Sequence, residues 1–277
     1  MFIGLTGAGY CRIFCLPDNY EVFDTSLNDI KFNLNPVFSK DLIKKLDSES
    51  LVARSLEGTE FIPGCVGLNN LKLTDYANCV IQLLSRAKPL RDFCLLDSTN
   101  DGNHSTSITS SDQRVLVSLK FNELIKKVWN PKNFKGHVSP HEFLEAVSTA
   151  SDKRFRCDDK NHKEGGFGGQ ADPIQFLAWL FNSMKLHRKV IEKTFQGELE
   201  IMTLTKDKED ETSAQFNQKP ASYSMDKKSV KFFFLTLDLP NVPLFKEQQE
   251  LGTLPQINLL TLMKKYDGIT LSEEMQT

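Results

Sequence analysis

The stretch GLNNLKLTDYANCVIQLLS, Gly67 to Ser85, constrains the chain more than any other. It leaves a Gly- and Pro-rich loop, TEFIPGCVGLNN, and enters a helix that runs through Tyr76, Ala77, Val80, Ile81 and Leu84. Thr74 or Asp75 is expected to cap that helix. Aspartate is among the best N-cap residues, and its charge is favourable at the positive end of a helix dipole. Capping therefore accounts for Asp75 in full. A catalytic role demands more. A helix N-terminus turns a thiol into a nucleophile near neutral pH, whereas a carboxylate there is already ionised and weakly nucleophilic. The mixed anhydride it would form lies above the amide it attacked. Asp75 is not expected to act as a nucleophile.

With 277 residues there is room for one large domain or two small ones. Helix-like segments come first and strand-like segments later, which predicts an α+β fold. RIFCLP, YEVFD and IKFNLN, between Arg12 and Asn35, read as short strands. Ser39 to Gly58 reads as one amphipathic helix capped by Ser39, with Leu42, Ile43 and Leu46 on one face. Arg114 to Asn130 has helical spacing and stops at Pro131. Ser139, Pro140 and Glu142 form a capping-box pattern, and Asp172 with Pro173 opens a further helix. TFQGELEIMTLT and VKFFFLTLDLP read as strands, and INLLTLMKKYDG as a last helix ending at Gly268. Residues 98–113 and 206–229 read as polar insertions.

A net charge of −2 provides no global field for nucleic acid or an anionic membrane. No run approaches the ~18 apolar residues of a membrane span. Neither a membrane nor a direct nucleic-acid site is expected. The apolar opening MFIGLTGAGYCRIFC lacks a basic n-region and is broken at Tyr10, Cys11 and Arg12, against a signal peptide. Of Cys11, Cys15, Cys65, Cys79, Cys94 and Cys157, three lie in apolar surroundings that suit reduced thiols in a reducing compartment.

GLNNLKLTDYANCVIQ resembles the cysteine box of the ubiquitin-specific proteases, Gly-Leu-x-Asn-x-Gly-Asn-Thr-Cys-Tyr-x-Asn-Ser-x-x-Gln. Gly67, Leu68, Asn70, Thr74, Tyr76, Asn78 and Gln82 match it. Asp75 falls on the cysteine, Lys72 on the glycine, and Leu73 on the asparagine that helps form the oxyanion hole. GGQADPIQFLAWLFN is similar to the family's Gln-Gln-Asp-Ala-x-Glu-Phe-Leu box through Asp172, Phe176 and Leu177, with Gln175 in the glutamate's place. RIFCLPDNYEVFDTSLNDI, KVWNPKNFKGHVSPHEFLEAV and FFFLTLDLPNVPLFKEQQE join the cysteine-box block in looking like the family's spliceosomal, protease-like branch. Aspartate at the cysteine position is a hallmark of that branch, and the likeness runs from Arg12 to Asp267.

The resemblance implies a papain-like fold with thumb, fingers and part of the palm, C-terminally incomplete because the family's histidine box lies beyond Thr277. It implies a zinc-finger remnant at 1–35, a helical linker at 36–60 and a truncated protease-like domain at 61–277. Zinc is expected only in a finger upstream, and no metal or cofactor in this chain. The implied function is a non-catalytic scaffold in pre-mRNA splicing and tri-snRNP assembly, in the nucleus. Tri-snRNP proteins are the implied partners, with ubiquitin a further candidate. An active deubiquitinating protease and a ubiquitin-binding module without cleavage are the alternatives.

Rival chemistry finds little support. Cys79 lies one turn after Asp75, and its neighbours Val80 and Leu83 predict a packed thiol. Cys65 sits in an open loop with no evident base. His137 and His141 have a metal-ligand spacing, but Pro140 interrupts it. Cys157 and His162, beside Asp158 and Asp159, lack a second ligand pair, as do Cys11 and Cys15. Gly165 to Gly169 lack the Lys-Ser/Thr of a phosphate loop, and Lys227 with Lys228 reads as a solvated charge run. Trp129, Phe134 and Phe143 form either a contact surface or core.

Overall fold

The computed structural model describes residues 2–5, 11–15, 20–48, 51–96, 112–155, 171–206, 223–239 and 257–268. Helices and sheets are mixed as α+β, and the one division of the chain falls between Thr194 and Phe195.

In the first unit, β1 (Phe2–Leu5), β2 (Cys11–Cys15) and β3 (Tyr20–Glu21) form a small antiparallel sheet. The segment IKFNLN, expected as a strand, lies within helix α1 (Asn28–Leu34) except for Asn35. Asp24 accepts a hydrogen bond from Ser26 N at 2.8 Å and starts a 3-10 turn that runs straight into α1. That turn commits the backbone to helix before the β-favouring residues arrive. Helix α2 (Lys40–Ser48) ends a full ten residues before the expected Gly58. Beyond it, β4 (Ala53–Arg54) pairs with β5 (Glu60–Phe61). Gly58, at φ +82°, sits in the turn of that hairpin instead of ending a helix.

Two further short strands, β6 (Gly67–Leu68) and β7 (His137–Val138), pair in parallel. The helical body comprises α3 (Asp75–Arg86), α4 (Lys88–Leu96), α5 (Gln113–Val128), α6 (His141–Ala150), α7 (Pro173–Ser183) and α8 (Arg188–Phe195). Asp112 caps α5 by accepting from Arg114 N at 3.0 Å, so the polar stretch expected through 113 stops short of it; residues 98–111 lie outside the described residues. The capping box on α6 does not form. Pro140 holds the N-cap position without a side-chain bond. Glu142 instead accepts from Lys120 at 3.2 Å and Lys127 at 3.5 Å, tying α6 to α5.

Helix α5 is the centre of the core. Val117, Phe121, Leu124, Ile125 and Val128 are all buried, and Phe121 meets Phe143 of α6 at 5.6 Å. Trp129 follows directly and is buried as well, so Trp129 and Phe143 are core, while Phe134 stays half-buried. Its indole Nε1 donates to Ser85 O at the end of α3, 3.1 Å away. The Arg91 guanidinium lies 4.5 Å from the ring centroid, held by two bonds to Asp47 of α2 at 2.7 and 3.0 Å. Those bonds hold the Asp47 carboxyl below the usual carboxylate range. Gly64, at φ +78°, donates to Val128 O at 2.9 Å, and a Cβ there would lie 2.7 Å from the indole. Asn130 and Lys132 reach back to Asn33 and Asp29 of α1, which ties α1 to the end of α5 within the first unit.

A second buried polar group lies between α4, α5 and the turn Lys185–His187. His187 is 0% exposed, donates Nε2–H to Asn122 Oδ1 at 2.6 Å, and has Cys94 Sγ 3.5 Å from the same nitrogen. Its Nδ1 has no hydrogen-bond partner among the described residues. Burial pushes the imidazole down to about 4.

In the second unit, β8 (Gly197–Lys206) and β9 (Tyr223–Phe232) form a two-stranded antiparallel ribbon. Its register runs from Gly197 opposite Phe232 to Lys206 opposite Tyr223. The insertion expected at 206–229 is therefore strand from Tyr223 onward, and the strand expected through Pro240 ends at Phe232. Alternating residues such as Tyr223, Met225 and Lys227 suit a ribbon open on both faces, which a search for apolar runs passes over. Helix α9 (Leu259–Asp267) is capped by Asn258, which accepts from Leu260 N at 2.9 Å.

Two measurements check this description. Gly64→Ala combines a left-handed backbone with overlap on Trp129 and is expected to lower unfolding free energy by about 2–4 kcal/mol in urea titrations. His187 takes up a proton in the unfolded chain near pH 6.5 but in the folded chain only near pH 4. Its contribution is therefore complete above about pH 6.5 and is lost as pH falls toward 4, by about 3 kcal/mol. Urea titrations across that window are expected to show the slope, and His187→Leu to flatten it.

Candidate functional site

Residues 66–74 are held from both sides. On one side β6 pairs with β7, and Asn69 N donates to Val138 O at 3.0 Å. On the other, α3 reaches back: Asn78 Nδ2 donates to Asn69 O at 3.1 Å and Gln82 Nε2 to Val66 O at 2.8 Å. Within the loop, Asn70 Oδ1 accepts from Thr74 N at 3.0 Å and from Thr74 Oγ1 at 3.2 Å. Thr74 Oγ1 in turn accepts from Leu71 N at 2.9 Å.

These bonds force a tight reversal. Lys72 and Leu73 both take left-handed backbone, at φ +56° and +52°. Side chains adopt that region rarely, and two in succession persist only where surroundings over-determine them. Here Asn70 and Thr74 bracket the pair and supply that constraint.

Thr74 holds the N-cap position, but its hydroxyl is turned into the loop and makes no cap bond to α3. Asp75 is the first residue of α3 and so is not its cap; it lies exposed in the first turn, where its charge meets the helix dipole favourably. Leu73, at the position that the resemblance to the cysteine box gives to the oxyanion hole, is also exposed. Cys79 is exposed too, which corrects the packed thiol expected from Val80 and Leu83. The buried face of α3 is Tyr76, Ala77, Val80, Ile81 and Leu84, and Leu83 joins Cys79 on the open side. Cys65 is exposed as expected, with Arg86 Nη2 donating to its Sγ at 2.9 Å.

Below the loop, Tyr76 meets Phe176 of α7 edge-on at 5.5 Å. Asp172 caps α7 by accepting from Ile174 N at 2.7 Å, as its sequence predicted. Gln175 accepts from Arg154 at 3.1 Å. His137 and His141 are both exposed, and His141 lies 4.0 Å from Glu145. Among the described residues, no group of three His, Cys, Asp or Glu side chains is placed to hold a metal. The side chain of Cys11, and Cys157, Asp158, Asp159, His162 and Gly165 to Gly169, lie outside the described residues.

The family model described as ubiquitin carboxyl-terminal hydrolase matches residues 66–273. The chain belongs to the ubiquitin carboxyl-terminal hydrolase family. It is 37% identical over 272 residues to ubiquitin carboxyl-terminal hydrolase 39 of Homo sapiens, covering 95% of this chain and 46% of that protein. It is 30% identical over 277 residues to the probable mRNA-splicing protein ubp10 of Schizosaccharomyces pombe, covering 95% and 50%. The chain thus spans about half the length of the curated relatives it matches. The crystal structure of an essential yeast splicing factor has a TM-score of 0.60 at 24% identity, over 92% of this chain and 55% of that one. That likeness speaks for the fold.

Set beside the cysteine box, the hydrolase-family residues of this chain sort by job. Asn70, Thr74, Asn78 and Gln82, which match the box, are the residues that hold the loop. Lys72, Leu73 and Asp75, which differ from it, lie on the loop's open side and at the helix start. The left-handed Lys72 occupies the box's glycine position, where glycine would carry no side-chain penalty. Substitution should separate the two groups. Asn70→Ala strands the Thr74 N–H and is expected to cost about 1–3 kcal/mol, and Gln82→Ala a similar amount. Asp75→Asn is expected to cost less than about 1 kcal/mol. Urea titrations with hydrogen exchange over residues 66–74 check both.

Proposed function

We propose that this chain is a non-catalytic member of the hydrolase family and serves as a scaffold in pre-mRNA splicing, within the tri-snRNP of the nucleus. The observation that carries the reading is the split within the loop. The hydrogen bonds that shape it are present, while its nucleophile position holds a carboxylate and its oxyanion position a leucine. A carboxylate gains no nucleophilic reactivity at a helix N-terminus comparable with that of a thiolate. Leu73 has no side-chain donor to aim at a developing oxyanion. What such a fold still offers is surface.

The splicing assignment draws on the relatives, since ubp10 is described as a probable mRNA-splicing protein. Tri-snRNP proteins are the partners this reading calls for, and it calls for no metal or cofactor within the chain.

The enzymatic alternative has a concrete handle, because Cys79 and Cys65 are both exposed. The chain should be incubated with a ubiquitin vinyl sulfone probe and resolved by intact-mass spectrometry, beside an active ubiquitin-specific protease. The proposal expects no covalent adduct. An adduct mapping to Cys79 or Cys65 would overturn it.

A further inference from the structure

The turn Lys185–His187 joins α7 to α8, and two side chains fasten it to the α5 region. His187 reaches inward, where Nε2–H donates to Asn122 Oδ1 at 2.6 Å. Lys185 reaches outward, where Nζ donates to Asp112 Oδ2 at 2.7 Å. The turn itself supplies little. His187 N donates to Met184 O at 3.1 Å, in the poorer geometry of a 3-10 helix. Met184 before the turn and Ile191 after it are buried, so an opening between them is bounded on both sides.

The inward tie cannot carry a charge. His187 is fully buried, with Phe93 of α4 and Phe121 of α5 edge-on at 5.1 and 5.9 Å. The titratable group facing it from α4 is the Cys94 thiol, 3.5 Å from Nε2, and from α5 it meets the uncharged Asn122. On its own segment Lys185 points to Asp112, and Arg188 donates to Glu192 at 2.8 Å. Burial is the cause that lowers the ring's affinity for a proton. A second proton goes on Nδ1, which has no acceptor among the described residues. A buried cation with an unpaired N–H is costly, and the ring escapes that cost by turning into water.

The outward tie lasts further into acid. Lys185 holds the Asp112 carboxyl below the usual carboxylate range, so that bond is lost only as pH falls through the lowered value. The body of α5 is fixed by groups that do not titrate, Val117, Phe121, Leu124, Ile125 and Val128.

We propose that His187 is an acid-operated latch on the α7–α8 junction. When the imidazole gains its second proton, the side chain leaves Asn122 for water and the turn opens locally, while α5 stays folded. The proton thus acts on one turn before it acts on the whole fold. The latch stands on the packing of the first unit and does not depend on the splicing reading.

The test is amide hydrogen exchange of the full chain at pH 7.0 and 4.5, read by mass spectrometry and corrected for the intrinsic rate at each pH. Protection over residues 185–190 is expected to fall at least about tenfold in acid, and protection over 117–128 to hold within about twofold. His187→Leu and His187→Gln cannot titrate, and Gln keeps a donor for Asn122 Oδ1. Either one, whichever folds, should remove the pH dependence over 185–190. Lys185→Ala should lower protection there at both pH values and leave their ratio unchanged. Equal loss over 185–190 and 117–128, the same protection at both pH values, or a pH dependence that persists in His187→Gln would each overturn the proposal.

Discussion

The first unit depends on the environment of Trp129. One buried indole closes the end of α5, accepts the Arg91 guanidinium on its face, donates to the last turn of α3 and leaves room at Gly64 for nothing larger than hydrogen. Arg91 is 3% exposed at its side chain, so its two bonds to Asp47 carry α2 into the same cluster. Arg91 also donates to Asp92 at 2.8 and 2.6 Å, so the guanidinium is held by a carboxylate on its own helix as well as by the one on α2. The loop of residues 66–74 begins two residues beyond Gly64, and Gln82, which holds its start, lies three residues before Ser85 on α3. The position of the loop is thus set by packing that lies outside it.

That loop shows what has been kept and what has not. A tight left-handed reversal through Lys72 and Leu73 is strained, and it stands because Asn70, Thr74, Asn78 and Gln82 supply bonds on all sides. None of these bonds requires a nucleophile. The geometry of the loop and its chemistry are therefore separable, and in this chain the geometry is present without the thiol.

Much of this was legible in the chain itself. Asp172 before Pro173 and the helical spacing from Arg114 to Asn130 both correspond to local rules that tertiary packing did not override, and the α+β class holds although strands open the chain ahead of the helices. The misreadings have specific causes. IKFNLN looks like strand by composition but follows an Asp24-capped turn that starts a helix. Ser139 and Glu142 fit a capping box, yet Glu142 finds two lysines on α5 instead. Cys79 neighbours apolar residues in sequence but points to the other side of α3, as 3.6-residue periodicity allows. His187 carried no signal, because KLHRK reads as a charged helix end and only the fold puts its imidazole beside Asn122. The Trp129 cluster joins residues 47, 64, 85, 91 and 129, a spacing that no local pattern encodes.

The claim that shape and not chemistry is what this site contributes is tested most directly by recovering RNA. The tagged chain and its Asp75→Ala variant should be pulled down from nuclear extract, and the associated small nuclear RNAs read out. The account predicts that both recover the tri-snRNP RNAs in equal amount. Recovery that is lost with Asp75→Ala, in a variant that remains folded, would contradict it by giving the carboxylate itself a function.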